Sequence, residues 1–195
     1  MLKIGITGGI GSGKTTVCKV FETLGIPVFY ADTVAKSIMV VDPMLITGVK
    51  EAFGPLSYFD DGRLNNKHIA SIVFSNPAEL AKLNNLVHPA VFRAFDSWVA
   101  EVDSKAPYIL KEAALLFESE SYKMCDQSIL VIAPHELKLE RVVARDSVSA
   151  DQVIARMDKQ FSDEQKIELA DHVLYNNESQ SVITQVMELH KLFLN

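Results

Sequence analysis

Near the start of the chain stands Gly8-Gly9-Ile10-Gly11-Ser12-Gly13-Lys14-Thr15, a stretch that fits G-x-x-x-x-G-K-[ST], the phosphate-binding P-loop. Chance matches to so short a pattern occur, so its surroundings matter. Residues 2–7 predict a short strand before the loop. The apolar spacing of residues 16–24 predicts an amphipathic helix after it, ended by Gly25. A strand, a glycine-rich loop and a helix in this order favour phosphate binding over a glycine-rich turn that binds nothing.

The residue types of this loop suit the phosphates of a nucleotide. Glycines let the backbone approach a ligand closely, so that successive N–H groups point into one concavity at the positive end of a helix. Lys14 is predicted to reach the β- and γ-phosphates, and the Thr15 hydroxyl is predicted to hold Mg²⁺. The residues predicted to bind the nucleotide here are Gly9, Ile10, Gly11, Ser12, Gly13, Lys14, Thr15 and Thr16.

Composition narrows the class of protein. The chain has 195 residues, of which 48% are hydrophobic, enough for one α/β domain with insertions and a sizeable core. Its formal net charge of -6 argues against a general nucleic-acid binder, which is usually basic. Cys18 and Cys125 lack metal-binding spacing and suit a reducing compartment. No apolar run reaches transmembrane length and the first residues resemble a strand rather than a signal peptide, so we expect a cytoplasmic protein with no membrane partner.

Strand and helix patterns alternate along the rest of the chain. Further strands are predicted at 26–30, 108–112, 128–133 and 172–175, and helices from Thr33 and at 136–144, 149–160, 163–170 and about 179–194. This alternation predicts an α/β fold in three layers, a five-stranded parallel sheet with helices on both faces. Binding sites in such sheets lie at the carboxyl ends of the strands.

A long helical stretch divides the chain into three predicted parts. The region from 42 to about 105 is too long for a simple crossover between two strands. We therefore expect a nucleotide-binding core made of residues 1–34, 106–134 and 166–195. Residues 35–105 are predicted to form a helical insertion, and residues 135–165 a helical lid.

Asp32 follows the second predicted strand directly. At that position its carboxylate could accept a proton from an acceptor hydroxyl or help to hold Mg²⁺. It could equally be the N-cap of the next helix, because Asp is a preferred cap. The spacing does not decide between these two roles.

Arginines of the predicted lid are a second group of candidates. Arg141 and Arg145 are four residues apart on one helix and so share a face, and Arg156 follows on the next helix. Such arginines could neutralise a transferring phosphate when a lid closes over it. The alternative is a solvated charged face on which Glu140 and Asp146 pair with them.

Other polar residues have ordinary structural interpretations. His88 stands alone before Pro89 and is typical of a structural histidine, and Asn176-Asn177 could form a plain turn. Motifs of other P-loop classes are lacking. Asn66-Lys67-His68-Ile69 misses the Asp of the base-reading N-K-x-D motif, and the fourth strand does not end in Asp. A P-loop, an acid after the second strand, a helical insertion and lid arginines together favour a P-loop small-molecule kinase over a switch protein.

The sequence resembles the dephospho-CoA kinase family over nearly the whole chain and in the right order. The Thr7–Lys14 loop together with the Ala31-Asp32 pair is far more specific than a general P-loop. The segments that carry the resemblance are 5–15, 28–32, 72–74, 88–89, 115–118, 140–146, 156–160 and 170–177.

This resemblance implies transfer of the ATP γ-phosphate, with Mg²⁺, to the ribose 3′-hydroxyl of dephospho-CoA. In such a kinase Asp32 lies at the acceptor hydroxyl, His88 on the acceptor side and Asn176 near the adenine. Arg141 and Arg145 belong to the lid, with Arg145 acting on the transferring phosphate, and the insertion holds the CoA moiety. The expected partners are ATP and dephospho-CoA, and the expected state is a monomer or a weak homo-oligomer.

Some positions depart from the pattern of the family. They are Tyr30 where Asp is frequent, Ala114 for Pro, Asn66 for Arg and Glu178 for Gly. None of them changes the phosphate loop, so the departures concern the details of the acceptor contacts. Another small-molecule acceptor, such as a nucleoside or nucleotide, and a non-catalytic ATP-binding switch remain the alternative functions.

Overall fold

The computed structural model describes residues 1–74, 76–102 and 104–194, so Ser75, Asp103 and Asn195 lie outside the described residues. Its five strands are β1 (Leu2–Thr7), β2 (Val28–Tyr30), β3 (Tyr108–Glu112), β4 (Gln127–Ile132) and β5 (His172–Tyr175). They form one parallel sheet in the order β2-β3-β1-β4-β5. The predicted five-stranded parallel sheet is therefore confirmed, with the strand that precedes the P-loop at its centre.

Helices alternate with these strands along the chain. They are α1 (Lys14–Thr23), α2 (Ala31–Val41), α3 (Pro43–Phe53), α4 (Asn66–Val73), α5 (Pro77–Glu101), α6 (His135–Asp146), α7 (Ala150–Met157), α8 (Asp163–Ile167) and α9 (Val182–Phe193). The first helix begins two residues earlier than predicted, because Gly13 is its N-cap and accepts hydrogen bonds from Thr16 and Val17. Helices α7 and α8 are separate, as predicted, and start at capping boxes formed by Ser149 and Ser162. Each ends three residues earlier than predicted, whereas α6 is longer than its predicted range of 136–144.

The two faces of the sheet are packed differently. On one face Ile4 and Ile6 of β1 join a buried cluster with α1 and α9, in which Phe21 meets the ring of Tyr108 edge-on at 6.3 Å between centroids. On the other face Gly5 leaves room for Leu116, which lies 2.7 Å from the position that a Cβ of Gly5 would take. Successive strand residues point to opposite faces, so β1 is buried on both sides, as expected for a central parallel strand.

The chain divides into two compact units. The core unit consists of Met1–Tyr30 and Val102–Asn195, and the helical unit consists of Ala31–Glu101. The helical unit contains α2 to α5. The segment 135–165, predicted as a lid, is part of the core unit. Within the described residues, no helix is both long enough and apolar enough to cross a membrane.

Local hydrogen bonds explain how the helical unit is built. Asp42 caps α3 by accepting hydrogen bonds from the N–H groups of Met44 and Leu45, and Pro43 occupies the first turn. Asn65 caps α4 in the same way through the N–H of His68. The Tyr58 hydroxyl donates to the carbonyl of Met39 at 2.7 Å and so ties the end of α2 to the chain that precedes α4.

Candidate active site

The phosphate loop joins the carboxyl end of β1 to the start of α1, and neighbouring residues leave no room for a side chain at Gly11 or Gly13. Gly13 has φ +92°, and a Cβ there would collide with the side-chain amide of Asn176. Gly11 has φ +82°, and a Cβ there would collide with the carbonyl of Lys138. Glycine is required at both positions for backbone conformation and for space.

Lys14 is the charged residue of the loop. Its Nζ donates to the carbonyl of Gly8 at 2.9 Å, so the ammonium group lies back across the loop rather than extending into solvent. The next two residues, Thr15 and Thr16, are exposed in the first turn of α1. The backbone N–H groups of this turn form the positive end of the helix, which favours an anion.

Three side chains from later parts of the core unit hold the loop in place. Asn176, directly after β5, donates its Nδ2–H to the carbonyl of Ser12 at 2.8 Å. The Gln160 side chain accepts from the N–H of Ile10 at 2.9 Å. Arg141 on α6 approaches the carbonyl of Gly11 at 3.5 Å. Asn176 and Arg141 were predicted site residues and both lie at the loop.

A buried ion pair lies beside the loop. Lys138 Nζ and Asp163 Oδ2 are 2.6 Å apart, and the Lys138 side chain is 11% exposed. The same Nζ is 3.3 Å from the position that a Cβ of Gly9 would occupy. Sequence reasoning missed this pair, because the two residues come from different helices, α6 and α8, and neither belongs to a motif.

Glu112 is an acidic residue that sequence reasoning also missed. It ends β3, pairs with Ile6 of β1 in the sheet register and is 6% exposed. Burial raises the pKa of the Cys18 thiol, and the negative charges of Glu112 and Glu22 raise it further, while the positive charge of Lys14 lowers it. The charge of Glu112 therefore acts on the same thiol as the charge of Lys14. The sequence did contain a signal for Glu112, since the strand predicted at 108–112 ends in this acid. Only the observed strand order shows that this strand is a neighbour of β1.

Arg145 and Arg156 meet at one carboxylate. Asp146 accepts from Arg145 at 2.7 Å and from Arg156 at 2.9 Å. These hydrogen bonds, first that of Arg145 and then that of Arg156, lower the pKa of Asp146 to about 2. The Arg145 side chain is 62% exposed. In this structure Arg145 therefore has a contact that the alternative of a solvated charged face predicts. Its partner Asp146 is one of the two acids, Glu140 and Asp146, named in that alternative.

The helical unit contains the predicted acceptor residues. Asp32 is exposed and lies inside the first turn of α2, where a carboxylate interacts favourably with the helix dipole. Helix α2 begins at Ala31, so Asp32 is one residue beyond the start rather than at the N-cap position. His88 lies within α5, and its ring stacks against Phe92 at 6.4 Å between centroids. Burial lowers the pKa of His88.

The helical unit also contains a pocket of about 1130 Å³. Its wall combines apolar side chains of α2 and α5, such as Met39 and Val87, with the cationic residues Lys36, Arg63 and Lys67. Arg63 pairs with Asp61 at 2.7 Å. The wall includes Val87 but not its neighbour His88. A pocket of this size and composition suits a long ligand with both apolar and anionic parts.

A P-loop at the end of a central parallel strand, an acid at the end of the neighbouring strand and arginines on the helix after β4 define a P-loop kinase fold. The dephospho-CoA kinase family model matches residues 2–181. The chain therefore belongs to the dephospho-CoA kinase family.

Individual relatives agree with this family. A dephospho-CoA kinase of Salinibacter ruber is 43% identical over 91% of this chain and 89% of its own. Among solved structures, a Thermus thermophilus protein matches with a TM-score of 0.87 and 33% identity, covering 100% of this chain and 98% of that one. The dephospho-CoA kinase from Campylobacter jejuni matches with a TM-score of 0.69 and 25% identity, covering 97% and 95%.

Proposed function

We propose that this chain transfers the γ-phosphoryl group of ATP to the ribose 3′-hydroxyl of dephospho-CoA, giving CoA and ADP. The observation that carries the proposal is the glycine-shaped phosphate loop, in a chain that belongs to the dephospho-CoA kinase family over residues 2–181. The reaction needs positioning and charge neutralisation more than covalent chemistry by the protein. The setting we propose is the cytoplasm, and the state a monomer or a weak homo-oligomer.

The phosphate loop binds ATP in this proposal. Backbone N–H groups of the loop, such as those of Gly11 and Gly13, donate to the phosphates, while the N–H of Ile10 stays bonded to Gln160. Lys14 exchanges the carbonyl of Gly8 for a phosphate oxygen. Asn176 keeps the Ser12 carbonyl fixed beside the nucleotide. Arg141 and Arg145 neutralise charge on the transferring group, so Arg145 must leave Asp146 when ATP binds.

The oxygen ligands present suit Mg²⁺. Thr15 offers a hydroxyl in the first turn of α1, and Glu112 offers a carboxylate at the end of the strand next to β1. Mg²⁺ in kinases is usually held by few protein oxygens together with substrate phosphates, which agrees with so small a set. When bound, the ion supplies charge neutralisation on the phosphate oxygens.

Asp32 and the helical unit serve the acceptor. The Asp32 carboxylate accepts the proton of the 3′-hydroxyl as its oxygen attacks phosphorus, and the bond from phosphorus to the ADP oxygen breaks. The pocket of the helical unit accommodates the rest of dephospho-CoA, with Lys36 and Lys67 near its diphosphate and the apolar wall along its pantetheine arm. His88 supports this side of the site.

The test is product formation from Mg²⁺·ATP and dephospho-CoA, followed by mass spectrometry, with adenosine and a nucleotide as control acceptors. CoA formed from dephospho-CoA alone is the expected result. Phosphorylation of a control acceptor instead would identify a different small-molecule kinase. ATP binding that is lost in Lys14→Ala, with no phosphorylated product from any acceptor, would identify a non-catalytic nucleotide-binding protein.

A further inference from the structure

The side chain of Gln160 connects two loops at the carboxyl end of the sheet. Its Oε1 accepts from the N–H of Ile10, in the phosphate loop, at 2.9 Å. Its Nε2 donates to the carbonyl of Ala114, just after β3, at 3.1 Å. Gln160 thus uses both ends of one amide to join segments that are far apart in the chain.

Only one orientation of this amide satisfies both neighbours. A backbone N–H can only donate and a backbone carbonyl can only accept, so the Gln160 oxygen must face Ile10 and its nitrogen must face Ala114. Rotating the amide by half a turn would place two donors together at one end and two acceptors together at the other. The contact is therefore specific for a side chain with one donor and one acceptor.

The loop after β3 is itself anchored to the segment that carries Gln160. The N–H of Phe161 donates to Glu118 at 2.9 Å, and Lys166 lies 3.1 Å from the same carboxylate oxygen. Gln160 therefore projects from a fixed segment and not from a free loop. The hydrogen bond of Gln160 to the N–H of Ile10 then sets the position of Ile10, the loop residue directly before Gly11.

We propose that Gln160 is a positioning residue that holds the Ile10 peptide group and thereby orients the phosphate loop for ATP. The inference deepens the proposed kinase activity and rests on it. The N–H groups of the residues after Ile10 converge on one anion only while the Ile10 peptide group keeps its orientation, so a rotation of that peptide group lowers the affinity for phosphate. The expected effect is a selective loss of kcat/KM for ATP.

The decisive variant is Gln160→Glu. A neutral glutamic acid has one donor and one acceptor, like Gln, whereas the ionised form has acceptors only and would face the Ala114 carbonyl without a proton. We expect kcat/KM for ATP to fall about 10-fold at pH about 8, with the KM for dephospho-CoA within about twofold of wild type. The Ala114 carbonyl favours the neutral acid and so raises the pKa of the introduced carboxyl group above its ordinary value. The ratio of variant to wild-type activity should therefore rise as the pH falls to about 5.5.

Two controls separate positioning from structure and from charge. Gln160→Met keeps a similar volume without hydrogen bonds, so its activity ratio should be low at every pH. Gln165→Glu adds the same charge five residues away, where the side chain accepts from the N–H of Ser162 in a capping box that Glu also satisfies. We expect Gln165→Glu to behave like wild type. Parallel pH profiles for Gln160→Glu and Gln160→Met would overturn the proposal.

A readout without catalysis keeps this inference distinct from the proposed function. Amide hydrogen exchange of the peptide containing Ile10 should speed up in Gln160→Met and stay unchanged in Gln165→Glu, and calorimetric affinity for ATP should fall in the first variant alone. Unchanged exchange and affinity in Gln160→Met would refute the role of Gln160. If the wild-type protein makes no CoA but these two measurements behave as expected, the acceptor assignment fails and the role of Gln160 in the loop is upheld.

Discussion

The phosphate loop and the pocket of the helical unit are held together by different kinds of contact. Around the loop, side chains such as Asn176 and Gln160 bond to specific backbone groups, and there is no space for a Cβ at Gly11 or Gly13. Around the pocket, apolar side chains form the wall and the charged groups are largely solvated, as in the Arg63–Asp61 pair, whose side chains are 78% and 51% exposed.

This difference suggests how each region can vary. A loop fixed by directional hydrogen bonds to its backbone tolerates few substitutions, because each lost partner leaves a polar group unsatisfied. A pocket lined by apolar area and solvated charge can exchange residues at small cost. We therefore expect large effects from single substitutions in the core unit around the loop and small ones around the pocket, Asp32 excepted.

The largest effect on stability is expected from Glu118→Gln in the core unit. Lys166 is completely buried 3.1 Å from Glu118, so removing the carboxylate leaves an uncompensated buried charge. Breaking such a pair costs about 3–5 kcal/mol. Urea denaturation followed by circular dichroism measures the change in free energy of unfolding.

The matched control is Arg93→Gln in the helical unit. Arg93 pairs with Asp42 at 3.0 Å, but its side chain is 50% exposed. An exposed pair contributes about 0–1 kcal/mol, so this variant should unfold nearly like wild type. Equal losses in the two variants would contradict the distinction between the two regions.

Asp32→Asn is expected to have the largest effect on catalysis. Loss of a general base lowers kcat by roughly 10²–10⁴-fold. The KM for ATP should change little. Asp96→Asn, an exposed acid on α5 of the same unit, is the control. A near-normal kcat in Asp32→Asn would assign Asp32 to stabilising the start of α2 instead.

Arg145→Ala distinguishes a catalytic arginine from a solvated one. We expect kcat to fall by roughly 10²-fold or more, in line with arginines that neutralise a transferring phosphate. The free energy of unfolding should hardly change, because the Arg145–Asp146 pair is largely exposed. Steady-state kinetics with saturating ATP gives the comparison with wild type. A wild-type rate would leave Arg145 as part of the charged surface on which the structure places it.

The regular parts of this molecule were predictable from sequence because their causes are local. The strand predicted at 108–112 has its observed bounds in β3, and the glycine pattern located the phosphate loop. Local sequence patterns do not predict a contact between two residues that are far apart in the chain. Gln160 and Ile10 are 150 positions apart, and Asn176 and Ser12 are 164 apart. No periodicity or motif connects such pairs, so the resemblance to a family located the segments but not the contacts.

Glu112 lies between these two cases, because the sequence shows the residue but not its neighbours in the sheet. The acid at the end of an apolar strand is visible in the sequence, but its importance depends on β3 being the neighbour of β1. The interpretation of the sequence looked for an acid at the end of the fourth strand, which is the neighbour on the other side. Strand order is a property of the whole sheet, and for that reason the acid on β3 was overlooked.

The smallest expected effect is a pH dependence of stability at His88. Burial lowers its pKa in the folded state below the ordinary value of 6.5, so the unfolded chain binds a proton more readily as the pH falls. The contribution of neutral His88 to the free energy of unfolding is therefore fully present above about pH 6.5 and decreases as the pH falls toward the pKa of His88 in the folded protein. Melting temperatures of wild type and His88→Gln between pH about 7.5 and about 5.5 should converge at the acid end, since only the wild type loses this contribution.

The same variant tests whether His88 belongs to the pocket or to the packing of α5. Its ring stacks on Phe92, and the pocket wall contains Val87 instead. A His88→Gln protein whose melting curves converge with wild type in acid, but whose KM for dephospho-CoA is unchanged, would show His88 to be a packing residue. A raised KM with an unchanged KM for ATP would place His88 at the acceptor. Melting temperatures that run parallel across this pH range would mean that burial of His88 does not affect its protonation in the folded protein.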